Sequence, residues 1–149
     1  MAEGLLKSMM PEHMKTDIAV SSAGTNALDG NPAESNAIRA MKEFGIDITA
    51  HIARSITKRM IAEAAYIFVM EPRHKTIIDS GYGGKGSKIH LLAEFSPTKN
   101  LGNIFDPYGE SIEVYRNCAS IIRGCIGNAV NYLGEKLHPD TGLRHNEKR

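Results

Sequence analysis

A disulfide framework is the first thing this sequence lacks. It has two cysteines, Cys118 and Cys125, in 149 residues, too few to staple a small domain. An excess of charge is also missing, with 18 Lys plus Arg against 17 Asp plus Glu. Nothing global therefore argues for nucleic acid or an anionic membrane surface as a partner. The longest apolar stretch lies around Tyr66 to Met70, far short of the roughly 20 residues that span a bilayer. No basic region followed by an apolar run stands at the N-terminus, so no secretion signal is read there. The six histidines show no ligand spacing, and no metal or other cofactor is implied. Gly83-Gly84-Lys85-Gly86 resembles a nucleotide-binding loop in composition only. It lacks the spacing and the following Lys-Ser/Thr of that motif. These exclusions leave a soluble cytoplasmic domain, and the length suits one domain with its own core. The oligomeric state is not legible.

Along the chain, helices and strands alternate over short connections. Ala2 to Met10 is helix-like, with Leu5, Leu6 and Met9 on one side, and Pro11 interrupts it. Asp17 to Ser22 contains Ile18-Ala19-Val20, which reads as a short buried strand. Ala23 to Pro32 is a Gly/Asn-rich loop. Ala33 to Phe44 is amphipathic, with Ala37, Ile38, Met41 and Phe44 at helical spacing and Gly45 placed as its C-terminal cap. Thr57 is suited to N-cap a short helix from Lys58 to Ala64. Tyr66 to Met70 is apolar without alternation, as expected of a parallel strand buried on both faces. Pro72 opens a helix to about Asp79. Gly81 to Gly86 reads as a flexible loop, Lys88 to Leu92 as a strand, and Ser96 to Gly102 as a loop. Glu110 to Leu137 is a long helix with Tyr115, Ala119, Ile122, Ile126, Val130 and Leu133 on one face. The expected organisation is one α/β domain over residues 1–137, built on a parallel sheet, with a polar, frayed tail over 138–149. A helix beginning at the second residue is unusual for such a fold, because nothing precedes its first turn to cap it.

Several segments taken in order resemble the low-molecular-weight protein-tyrosine phosphatase family. They are Met1-Ala2-Glu3-Gly4-Leu5-Leu6, Ser22-Ala23-Gly24-Thr25, Gly45-Ile46-Asp47, His51-Ile52-Ala53-Arg54 with Ile56-Thr57, and Ile67-Phe68-Val69-Met70-Glu71. The most specific is Asp106-Pro107-Tyr108-Gly109, followed by Ser111-Ile112 and Tyr115. The resemblance implies a flavodoxin-like three-layer sandwich around a four-stranded parallel sheet. It also implies hydrolysis of phosphoprotein monoesters, by attack of a cysteine thiolate held in a Cys-x5-Arg-Ser loop at a helix N-terminus. Asp106 matches the aspartate that protonates the leaving oxygen and then assists water. Tyr108 matches an aromatic wall of the substrate pocket. Ser22 and His51 match residues that brace the phosphate loop, and Arg54 is read as a structural or surface cation rather than a phosphate ligand. The implied partner is a phosphorylated protein, with phosphotyrosine as the default and phosphoarginine as the rival.

The Cys-x5-Arg loop and the strand before it do not occur in the 149 residues. Cys118 and Arg123 have four residues between them rather than five. They also lie inside a helix whose N–H groups are already bonded. Cys118 and Cys125 have the six-residue separation of a relative's redox pair, but in a helix that separation puts them about 10 Å apart along the axis. A disulfide needs about 4.4–6.8 Å. The expectation is therefore a chain with a general acid and no nucleophile, inactive as written. It is either a truncated copy or the product of a start codon placed too far downstream. A non-catalytic binding or regulatory protein is the alternative. The resemblance also implies that the absent strand is the central one of the sheet. Burial of its side chains would be worth about 1.5–3 kcal/mol each.

Overall fold

The computed structural model describes residues 1–83 and 86–137. Its helices are α1 (Ala2–Met9), α2 (Glu12–Lys15), α3 (Ser35–Lys42), α4 (Lys58–Glu63), α5 (Pro72–Tyr82) and α6 (Ile112–Leu137). Its strands are β1 (Ile67–Val69) and β2 (Ile89–Leu91), and short 3₁₀ turns at Gly86–Lys88 and Leu92–Phe95 flank β2. The expected helices all form, most of them a few residues shorter than their apolar pattern. Helix α2 and the two 3₁₀ turns were not anticipated, being too short to carry a period. The tail and part of the Gly81 to Gly86 segment lie outside the described residues.

Local chemistry sets most of the boundaries. The Thr57 hydroxyl accepts the Met60 amide at 3.2 Å and starts α4. Pro72 occupies the first turn of α5, where its missing N–H costs nothing. Gly45 follows α3 with φ of 73°, a left-handed conformation that suits a residue without Cβ. The amides of Gly45 and Ile46 return there to the carbonyls of Lys42 and Met41. Met1 is the N-cap of α1 and offers no side-chain hydrogen bond.

Strand β1 pairs in parallel with β2, Ile67 opposite Ile89, Phe68 opposite His90 and Val69 opposite Leu91. Its side chains alternate between two apolar clusters. Ile67 and Val69 join Ile61, Ile78 and Ile89 on the α4 and α5 side. Tyr66, Phe68 and Met70 pack against the larger cluster built by α1, α3 and α6. Two helical layers therefore enclose the sheet, which is why β1 reads as a continuous apolar run. Helix α6 is the main strut of its layer, touching α1, α3 and the Leu92–Phe95 turn.

One expectation about the sheet is corrected. Residues 18–20 form no strand: they join no ladder, Ala19 is exposed, and Ile18 and Val20 are half-buried. Strand status requires a hydrogen-bonded neighbour, and none stands beside this segment among the described residues. With that segment unpaired, the sheet among the described residues has two strands, β1 and β2.

Candidate active site

The site begins where β1 ends. The Ile104 amide donates to the Met70 carbonyl at 3.0 Å, tying the loop before α6 to the C-terminal end of β1. Ile104 and Pro107 are buried, and Phe105, Asp106 and Tyr108 between and beside them face outward. The turn is closed by its own groups. Asp106 Oδ1 accepts the Tyr108 amide at 3.1 Å, and the Glu110 amide donates to the Pro107 carbonyl at 3.0 Å. Gly109 sits at φ of 82°, which the turn requires and which L side chains rarely adopt.

Asp106 borders a cavity of about 260 Å³ that it shares with Met1, Ala2, Met70, Glu71, His74 and Cys118. The N-terminal turn of α1 thus faces the same space as the carboxylate. Helix N-termini carry partial positive charge and favour anions. Cys118 comes from α6 and its Sγ lies 3.7 Å from the Phe105 carbonyl, to which it donates. Its thiol is pushed up to about 11, first by burial and then by the Asp106 charge. A thiol held protonated in this way is a poor nucleophile. Burial also raises the Cys125 thiol, and both cysteines are free. Their common helix agrees with reading them as core residues.

Ser22 and His51 meet at a third residue that the sequence reading did not single out, Glu3 on α1. The Ser22 hydroxyl donates to Glu3 Oε2 at 2.5 Å, and His51 Nδ1 lies 3.9 Å from the same oxygen. Lys7 holds the other oxygen at 2.6 Å. Burial opposes ionisation of Glu3, but the hydrogen bonds from Lys7 and Ser22 outweigh it and hold the carboxyl below its ordinary value. The available signal was position: Glu3 follows the two residues that border the cavity. Arg54 Nε donates to the Ser22 carbonyl at 2.9 Å. Tyr108 is 71% exposed and stands outside the cavity lining. Among the described residues no group of three or more His, Cys, Asp or Glu is placed to hold a metal. No helix there is long and apolar enough to cross a membrane.

A family model for low molecular weight phosphotyrosine protein phosphatase matches residues 1–139. The probable low molecular weight protein-tyrosine-phosphatase EpsP of Ralstonia nicotianae is 31% identical over 123 residues, which is 83% of this chain and 79% of that protein. The protein-arginine-phosphatase of Bacillus subtilis is 33% identical over 116 residues, 78% of this chain and 75% of its own. Among solved structures, the low molecular weight protein tyrosine phosphatase of T. tengcongensis superposes with a TM-score of 0.79 at 33% identity. That likeness covers 89% of this chain and 88% of the other, and it agrees with the α/β flavodoxin-like class.

Proposed function

Because this chain belongs to the low molecular weight phosphotyrosine protein phosphatase family, we propose that it carries the proton-donating side of a site for phosphorylated proteins. Where a cysteine thiolate from outside these residues attacks phosphorus and takes the phosphoryl group, Asp106 in its acid form would give its proton to the leaving atom as that atom's bond to phosphorus breaks. As a carboxylate it would take one from the water that then displaces the thiolate. Tyr108, exposed on the same turn and outside the cavity lining, would meet a substrate group only beyond the cavity rim. Ser22 and His51, gathered by Glu3, brace the anion-facing end of α1. The observation that carries this reading is the cavity itself, which sets Asp106 across from the first turn of α1.

The attacking half is not supplied by these 149 residues. No Cys-x5-Arg occurs in them, and Cys118, the cysteine in the cavity lining, is a buried and protonated thiol. This chain is therefore expected to show no turnover of para-nitrophenyl phosphate above background. Turnover that disappears in Asp106→Ala would sink the inactive reading. The missing nucleophile also favours a second reading, a non-catalytic protein that binds phosphorylated partners. Calorimetric titration with a phosphotyrosine peptide and its unphosphorylated twin tests this, with binding of the phosphorylated form alone as the expected result. The relative named as a protein-arginine-phosphatase makes a phosphoarginine peptide the natural competitor in the same titration. We also place the protein in the cytoplasm.

A further inference from the structure

A proton donor works only when its carboxyl group is held within hydrogen-bond reach of the leaving atom. Asp106 is exposed, and so are Phe105, Tyr108, Gly109 and Glu110 around it. The turn has little packing of its own, so its backbone must be held from neighbouring elements. Two ties sit at its ends. The Ile104 amide donates to the Met70 carbonyl at 3.0 Å, and Asn36 Nδ2 donates to the Glu110 carbonyl at 3.2 Å. Neither falls on a peptide unit that contains Asp106.

The peptide unit that enters Asp106 is held by Cys118, whose Sγ donates to the Phe105 carbonyl at 3.7 Å. A peptide unit is planar, so the Phe105 oxygen and the amide and Cα of Asp106 move as one rigid group. A bond to that oxygen therefore limits the direction in which the Asp106 side chain leaves the backbone. The bond from the Tyr108 amide to Asp106 Oδ1 ties the carboxylate only to its own turn. Polar side chains inside a helix commonly bond a carbonyl of the preceding turn of that helix. The acceptor of Cys118 instead lies 13 residues earlier, outside α6. The platform that carries the thiol is firm. Cys118, Ala119 and Ile122 are all buried, and α6 packs on α1 and α3.

We infer that Cys118 is a positioning residue for Asp106, its thiol holding the peptide unit that enters the general acid against α6. A thiol is a weak donor, but it is also a small apolar group that a core accepts. Burial and the Asp106 charge keep it protonated, so the donor persists across the neutral range. The inference rests on the general-acid role of Asp106 for its consequence, and on geometry alone for its existence.

NMR on the 149-residue chain tests it, with Cys118→Ala set against Cys125→Ala. Each variant removes one buried sulfur from α6, and Cys125 lies outside the cavity lining. In Cys118→Ala the Phe105 carbonyl carbon signal is expected to move as its bond is lost. Exchange at the Tyr108 amide is expected to rise about threefold, as suits a weak donor. Amides from Ala129 to Leu133 are expected to keep their protection, and Cys125→Ala to leave Phe105 and Tyr108 unchanged. An unmoved Phe105 signal or an unchanged Tyr108 exchange in Cys118→Ala would overturn the inference. So would equal loosening of the turn by both variants, which would mark a general loss of packing. Cys125→Ala also leaves Cys118 as the only thiol in the chain. Its infrared S–H stretching band is then read alone, and decides the bond if Cys118→Ala does not fold. A band at lower frequency than that of a free thiol is expected, and a band at the free-thiol frequency would overturn the inference. No substrate takes part in these measurements, so their failure would leave the general-acid reading standing. Failure of that reading would likewise leave the thiol bond.

Discussion

Glu3 shows how much one side chain organises. Its two oxygens hold Lys7 and Ser22 and face His51. The folded protein keeps this carboxyl below its ordinary value of 4.5. The stability it contributes is therefore complete above that value and is lost as pH falls through the lower, folded one. Glu3→Gln is expected to cost about 1 kcal/mol at neutral pH, toward the lower end for a charged hydrogen bond because the site is partly wet. It is also expected to flatten the acid limb of stability measured by urea unfolding at a series of pH values. Cys118 works in the opposite direction. Its thiol rises from 9.0 to about 11 on folding, so its contribution is complete below 9.0 and is lost as pH climbs to about 11. The wild type should lose stability over that interval more steeply than Cys118→Ala. Equal slopes would contradict the assigned cause.

At the scale of elements, one amine ties the end of α4 to the turn before β2. Lys88 Nζ donates to the carbonyls of Ile61, Ala62 and Ala64 at the C-terminal end of α4. These are the carbonyls a helix leaves without internal partners, and positive charge is favourable there. Lys88→Met keeps the stem and removes the donor. It is expected to destabilise the protein by about 1–3 kcal/mol, since a hydrogen-bonded charge is lost and part-buried carbonyls are left bare. Chemical denaturation measures this, and a cost of a few tenths would show that water replaces the amine. The ends of α3, α4 and α5 were legible beforehand because Gly45, Thr57 and Pro72 act on amides and carbonyls a few residues away.

For the molecule as a whole, protection is expected to follow the layers. Helix α6 buries residues from Tyr115 to Leu133 and touches α1 and α3. Residues 18–20 have no ladder, and β1 has a neighbour on one edge among the described residues. Exchange should therefore be slowest in α6 and fastest, outside the chain ends, over 18–22. Strong protection at Ala19 and Val20 would mean that this segment pairs in solution with a strand, from this chain or another copy.

The sequence alone determined the features that depend on near neighbours. These are the helical faces, the caps, the buried character of β1, and the Asp106-Pro107-Tyr108-Gly109 turn with the family it belongs to. Only the tertiary structure decided which distant groups meet. Ser22 and Glu3 are 19 positions apart, and Asn36 and Glu110 are 74. No periodicity or motif encodes such a meeting. It also decided that Ile18-Ala19-Val20 is not a strand. β-branched composition makes a segment able to pair, but a strand exists only when another backbone lies beside it to take its hydrogen bonds.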